Sequence, residues 1–184
     1  MLNARAHLVL GGARSGKSQF AEQLACEYGE QGQQLIYLAS AQAKDNEMHD
    51  RISLHKQRRK DANWQVIEEP IEVVVTLKKV ASNSTCILFD CLSLWLSNLM
   101  FEKADIDPLY VKQKLQQLVD TISTLPGQLI MVTNMVGLGV IPMGECSRVY
   151  VDLAGWLEQN IAKQCQQVDL VVAGLPMNLK HDHL

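Results

Sequence analysis

With 184 residues, nearly half of them apolar, the chain can bury one full core without a second domain. A formal net charge of -3 supplies no basic field, which argues against nucleic acid or an anionic membrane as the main partner and in favour of a small soluble ligand. The five cysteines are odd in number, scattered and without a C-x-x-C pair, so neither a disulfide framework nor a zinc site is expected.

Residues 1–7 lack the charged region, apolar run and cleavage site of a signal peptide, and no apolar stretch reaches spanning length, so a cytoplasmic location is expected. Short runs rich in Val, Ile and Leu then read as strands buried on both faces, at 7–10, 35–39, 86–89, 129–133 and 168–173. Helical spacing fills the intervals, at 18–28, 46–59, 71–80, 92–101, 108–122 and 147–166. Gly29 and Gly32 close the first helix, and Pro126-Gly127 breaks the chain before the fourth run. This alternation specifies an α/β fold, a mostly parallel central sheet with helices on both faces and right-handed crossovers. The polar stretch 44–63 has too few apolar positions for a core helix; it reads either as a segment over the nucleotide side or as a solvated surface helix.

Directly after the first strand, Gly11-Gly12-Ala13-Arg14-Ser15-Gly16-Lys17-Ser18 matches G-x-x-x-x-G-K-[ST] at every fixed position and leads into a helix. Such a loop aims consecutive backbone N–H groups inward, and the helix start adds its positive dipole end, so phosphate is the natural guest. Lys17 is expected to reach the β- and γ-phosphates of a nucleoside triphosphate, and the Ser18 hydroxyl to ligate Mg²⁺. Arg14 is either a further phosphate contact or a solvated side chain. The apolar run Cys86-Ile87-Leu88-Phe89 ends on Asp90, which suits the second Mg²⁺ group, held through water; the competing reading is a cap on the next helix. The guanine-reading N-K-x-D signature of switch GTPases is absent from Thr133-Asn134-Met135-Val136, the nearest stretch.

An ordered series then runs through nearly the whole chain. It comprises the loop above, Ile36-Tyr37-Leu38-Ala39-Ser40, Glu47-Met48 with Arg51-Ile52 and His55, Trp64 with Glu68, Asp90-Cys91-Leu92, and Val132-Thr133-Asn134 with Val136-Gly137. Together these resemble the bifunctional adenosylcobinamide kinase and adenosylcobinamide-phosphate guanylyltransferase family. The resemblance implies a P-loop NTPase fold and a cobalamin-biosynthesis enzyme of two activities, using ATP or GTP with Mg²⁺. One phosphorylates adenosylcobinamide; the other exchanges that product with GTP to give adenosylcobinamide-GDP and pyrophosphate. It further implies a histidine that carries GMP and assembly as a trimer. Carried onto this chain, Gly11 to Ser18 bind the triphosphate, and Ala39, Ser40 and Ala41 line the nucleotide site. His55 is the nucleophile, with Lys56, Gln57, Arg58 and Arg59 beside it, and Glu68 and Asp90 complete the nucleotide and metal shell. Two positions depart from the family pattern, Met135 and Met143, where acidic residues are common, and a single histidine follows Leu54 where some relatives carry two.

Other residues read more plainly. His49 suits an exposed helix position, and the terminal His181-Asp182-His183 a disordered end. Trp95 and Trp156 suit core or subunit-contact positions, and the apolar helices around them are expected to form an oligomer surface. The residues leave two further functional readings open, a kinase of another small metabolite and a catalytically silent nucleotide sensor.

Overall fold

The computed structural model describes residues 5–41, 63–102, 106–139 and 142–181. In chain order the elements are β1 (Arg5–Gly11), α1 (Lys17–Glu30), β2 (Gln34–Ala39), β3 (Trp64–Glu68), α2 (Val73–Val80), β4 (Thr85–Asp90), α3 (Leu92–Met100), α4 (Pro108–Ile122), β5 (Gln128–Asn134), α5 (Glu145–Gln164), β6 (Gln167–Val172) and β7 (Leu175–His181). The strands form one sheet in the order β3-β2-β4-β5-β1-β6-β7, parallel throughout except for the antiparallel β6–β7 pair. All five expected strands are present.

Two strands are additional, and both are at the edges of the sheet. An edge strand has only one neighbour and need not be apolar on both faces, so neither carries the continuous apolar run of a central strand. β3 reads Trp-Gln-Val-Ile-Glu and is largely exposed. β7 contains Pro176, which an edge strand tolerates because one side of its backbone needs no ladder partner. The expected helix at 46–59 lies outside the described residues. Gly29 sits inside α1, which ends at Glu30 with Gln31 as its C-cap, and beyond it the Gly32 N–H bonds to the Gly29 carbonyl.

Alternation along the strands separates two apolar layers. On one face Val9, Leu35, Tyr37, Leu88, Ile130 and Val132 pack with Ala21 and Ala25 of α1. On the other, Leu8, Leu38, Phe89 and Met131 pack with α2 to α5 in the larger cluster. Trp95 is fully buried there, edge-on to Phe89, its indole N–H donating to the Ile71 carbonyl at 2.9 Å. Leu92, Leu96, Leu99 and Met100 of the same helix are buried as well, so α3 spends its apolar surface in the core. The expected oligomer surface around Trp95 is therefore not there, and Trp156 is half-buried beneath Lys112. Exposed apolar side chains stand on β7 at Leu175 and Met177, two positions apart and so on one face, and at Leu179, where the pairing with β6 shifts register.

All five cysteines are free thiols. Burial pushes those of Cys86, Cys91 and Cys165 up to about 12, which makes them inert packing groups. Among the described residues no helix is long and apolar enough to cross a membrane.

A polar pair is built into the α1 side of the sheet, where His7 Nε2 lies 2.6 Å from Asp169 Oδ2. Gln167 and Asn178 also donate to that carboxylate, so its lone pairs are met within the protein. On the opposite side Glu158 of α5 accepts a hydrogen bond from the Thr133 hydroxyl at 3.2 Å. Burial raises its carboxyl from the ordinary 4.5 to about 6, the hydrogen bond opposing this in part. The folded state therefore favours the protonated form. That contribution is complete below the unfolded pKa and is lost as pH rises through about 6. Urea denaturation at pH 4 and pH 8 is expected to show Glu158→Gln gaining about 1 kcal/mol on the parent at the higher pH, a value discounted for partial exposure. An offset that is the same at both pH values refutes the buried-acid reading.

Candidate nucleotide and phosphoryl-transfer site

β1 ends at Gly11 between two parallel neighbours, with Asn134 of β5 on one side and Val171 of β6 on the other. The chain then turns through residues 12–16 and enters α1 at Lys17. Gly16 makes the turn possible, with φ of +95° in the left-handed region that a side chain disfavours. A Cβ at Gly16 would stand 3.0 Å from Gly174 Cα, so this position has no room for one either.

That close neighbour belongs to the turn between β6 and β7. Ala173 and Gly174 both have positive φ, the two-residue hairpin geometry that matches strand twist. The Gly174 N–H donates to the Ser15 carbonyl at 2.7 Å and pins the loop from outside. Nothing local in the sequence points to this contact, because Ala-Gly is a weaker hairpin signal than Asn-Gly or Asp-Gly and its partner lies about 160 positions away.

Within the loop, the Ser15 N–H bonds to the Gly12 carbonyl at 3.3 Å, and the Lys17 ammonium donates to the same carbonyl at 3.1 Å. Lys17 is buried, its cation folded back over the loop. Gly16 gives α1 no side-chain cap, whereas α4 is capped by Asp107, whose carboxylate accepts from the N–H groups of Leu109 and Tyr110. The α1 start thus keeps its first-turn dipole directed into the loop. Ser15 Oγ is buried and has no hydrogen-bond partner among the described residues. Arg14 is exposed, with φ of +58°.

Asp90 closes β4, two strands from β1, and faces the α1 side. Its carboxylate accepts from the Tyr37 hydroxyl at 2.9 Å. The helix-cap reading fails, because Cys91 rather than Asp90 occupies the N-cap of α3 and makes no side-chain cap bond.

Ala39 pairs in register with both Asp90 and Glu68, which places these three at the same carboxyl edge of the sheet as the loop. β2 is three strand positions from β1, about 14 Å at the usual interstrand spacing, so Ala39 and Glu68 stand well away from the loop. Ser40 is fully buried, and its hydroxyl both donates to the Cys91 carbonyl at 2.8 Å and accepts from the Cys91 N–H at 3.0 Å. Asn98 fixes the Ser40 carbonyl from α3. Ser40 thus ties β2 to the turn after Asp90, and Ala41 follows at the edge, half-buried.

His55, Lys56, Gln57, Arg58 and Arg59 lie outside the described residues. Met135 lends its N–H to the Gly11 carbonyl at 3.1 Å while its side chain packs on the larger core, and Met143 is 95% exposed. Neither puts a charge at the loop.

Comparison with known proteins agrees with this geometry. Residues 7–179 match the family model described as cobinamide kinase / cobinamide phosphate guanyltransferase. The chain is 49% identical to the bifunctional adenosylcobalamin biosynthesis protein CobP of Pseudomonas aeruginosa, over 96% of this chain and 98% of that protein. It is 32% identical to the bifunctional adenosylcobalamin biosynthesis protein CobU of Escherichia coli, over 94% of this chain and 98% of that one. Among solved structures, the flagellar accessory protein FlaH of Methanocaldococcus jannaschii shares the fold with a TM-score of 0.57 at 14% identity, covering 98% of this chain and 80% of that one. With the phosphate loop, the parallel sheet and a match spanning almost the entire sequence, this chain belongs to the cobinamide kinase / cobinamide phosphate guanylyltransferase family.

Proposed function

We propose that residues 1–184 act as one cytoplasmic transferase domain that phosphorylates adenosylcobinamide with ATP or GTP and then guanylylates the product with GTP. The observation that carries the placement of the triphosphate is the loop at 11–18, with its left-handed Gly16, folded-in Lys17 and uncapped helix start. The residues fit the ligand chemically. Ser15 carries a buried hydroxyl oxygen lacking a partner among the described residues, and the loop backbone and Lys17 supply donors for phosphate oxygens. Ser18 and Asp90 supply the hard oxygen donors that suit Mg²⁺. Mg²⁺ bound there would neutralise charge on the β- and γ-phosphates.

In the first reaction the corrinoid hydroxyl oxygen bonds to the γ-phosphorus as the bond to the β-phosphate oxygen breaks, and the hydroxyl proton leaves to solvent. Lys17 moves from the Gly12 carbonyl to the phosphates and stabilises the charge that develops there. In the second, a His55 ring nitrogen attacks the α-phosphorus of GTP and pyrophosphate leaves. The phosphate of adenosylcobinamide phosphate then displaces the imidazole to give adenosylcobinamide-GDP. An imidazole suits the task because its unperturbed pKa of about 6.5 leaves it largely neutral near pH 7. Lys56, Arg58 and Arg59 offset the pyrophosphate charge, with Gln57 among them. Ala39, Ala41 and Glu68 bound the end of the ligand remote from the loop, and Ser40 holds that edge in place.

We assign the homo-oligomer, a trimer on the family pattern, to the exposed apolar face of β7. Met177→Glu is expected to lower the sedimentation coefficient toward that of a monomer; an unchanged coefficient would remove β7 from the interface.

Lys17→Ala is expected to abolish GTP binding and both reactions, and Asp90→Asn to raise the Mg²⁺ requirement without unfolding the protein, as read by calorimetry and coupled assay. Near-normal binding by Lys17→Ala is incompatible with the loop assignment. Incubation with GTP and Mg²⁺ should add one GMP mass to the parent and none to His55→Ala, which keeps part of its kinase activity. A label that persists in His55→Ala excludes that residue as the nucleophile.

A further inference from the structure

We propose that the side-chain amide of Asn134 is a ligand contact of the phosphoryl-transfer site, its carbonyl accepting a hydrogen bond from an O–H group bound there. This rests on the reading that the loop at 11–18 holds the triphosphate.

β5 lies between the strand that carries the loop and the strand that carries Asp90. Asn134 is its last residue, opposite Gly11, and Val132 two positions earlier is opposite Asp90. Alternation puts Asn134 on the same face as Val132, which packs in the α1 layer. The residue therefore borders both halves of the proposed triphosphate and metal site.

Its amide is fixed at one end only. Nδ2 donates to Ser93 Oγ at 3.2 Å, and the backbone N–H of Asn134 reaches the same oxygen at 3.4 Å. Ser93 is itself held, its hydroxyl 3.1 Å from Cys91 Sγ and its carbonyl accepting from the Tyr150 hydroxyl at 2.9 Å. The other end, Oδ1, is buried and has no partner among the described residues. Exchanging the amide oxygen and nitrogen would orphan the amino end instead, so one end stays unmatched in either orientation. With two N–H groups of Asn134 directed at Ser93 Oγ, the oxygen is the end left over.

A buried acceptor without a donor destabilises a fold, and native proteins keep few of them. An orphan at the carboxyl edge of a parallel sheet, next to a phosphate loop, stands where α/β proteins bind ligands. A carbonyl oxygen needs a donor, which phosphate oxygens are not. The matching groups are a metal-bound water and the hydroxyl of the acceptor substrate, which share the same O–H chemistry.

The test uses the full-length protein and Asn134→Ala. A ligand contact predicts opposite effects on stability and rate. The melting temperature stays equal to that of the parent or rises, because the orphan is gone, while the turnover number for adenosylcobinamide phosphorylation falls at least about tenfold. GTP affinity, set by Lys17 and the loop, changes less than about twofold. If the partner is a metal-bound water, the Mg²⁺ concentration for half-maximal rate rises; if it is the acceptor hydroxyl, the corrinoid KM rises and the Mg²⁺ dependence is unchanged. A turnover number within about twofold of the parent, or an activity loss that follows a lowered melting temperature, overturns the proposal. Loss of the loop assignment would appear separately, as GTP binding retained by Lys17→Ala.

Discussion

Where β1 gives way to α1, the backbone has to reverse its hydrogen-bonding habit within five residues, and the left-handed conformation of Gly16 is what permits it. A side chain there would be strained by φ and would also crowd Gly174. The two glycines let two backbone segments approach until the Gly174 N–H reaches the Ser15 carbonyl. The rest of the site inherits its geometry from this contact. It fixes where α1 begins, hence where the helix dipole and the Lys17 cation converge.

The sheet converts that local turn into a site. Parallel pairing aligns the carboxyl ends of β1 to β5 along one edge, so Gly11, Asn134, Asp90, Ala39 and Glu68 are brought together from five separate stretches of sequence. Strand order then grades them by distance. Asn134 is beside the loop, Asp90 one strand further, and Ala39 and Glu68 remote from it. A ligand with a charged triphosphate at one end and a bulky group at the other suits an edge graded in this way.

A network of ordinary polar groups keeps the edge rigid. Ser40 ties β2 to the turn after Asp90, Ser93 ties that turn to β5, and Tyr150 ties Ser93 to α5. These neutral groups bond to backbone and to one another, which holds the strand ends without placing a charge beside the loop. Met135 fits the same pattern. It serves the loop through its backbone N–H and the core through its side chain, so the loop contact does not depend on which side chain stands at this position.

The central strands were legible in the sequence because a strand buried on both faces must be apolar at consecutive positions, and the phosphate loop because its residues are local and contiguous. The residues at 7–10, 86–89 and 129–133 therefore announce themselves, and Gly11 to Ser18 announce both a conformation and a ligand. The ordered series of motifs carried the family for the same reason, since each motif is short and keeps its place in the chain. Strands β3 and β7 were not legible, because an edge strand is one-sided and its alternating residues resemble a loop. Nor could the sequence decide what a side chain does once it is packed. Trp95 looked equally suited to a core and to an interface, and only the closure of α2 to α5 over it made it core. Asp90 suited a metal better than a cap once the loop was known, but the cap stayed open until the helix was seen to start after Cys91, with Asp90 held instead by the hydroxyl of Tyr37, 53 positions away. Local sequence determined the elements and the loop, because those depend on residues near one another in the chain. Tertiary structure decided which of their side chains meet, because that depends on strand order, which no single segment encodes.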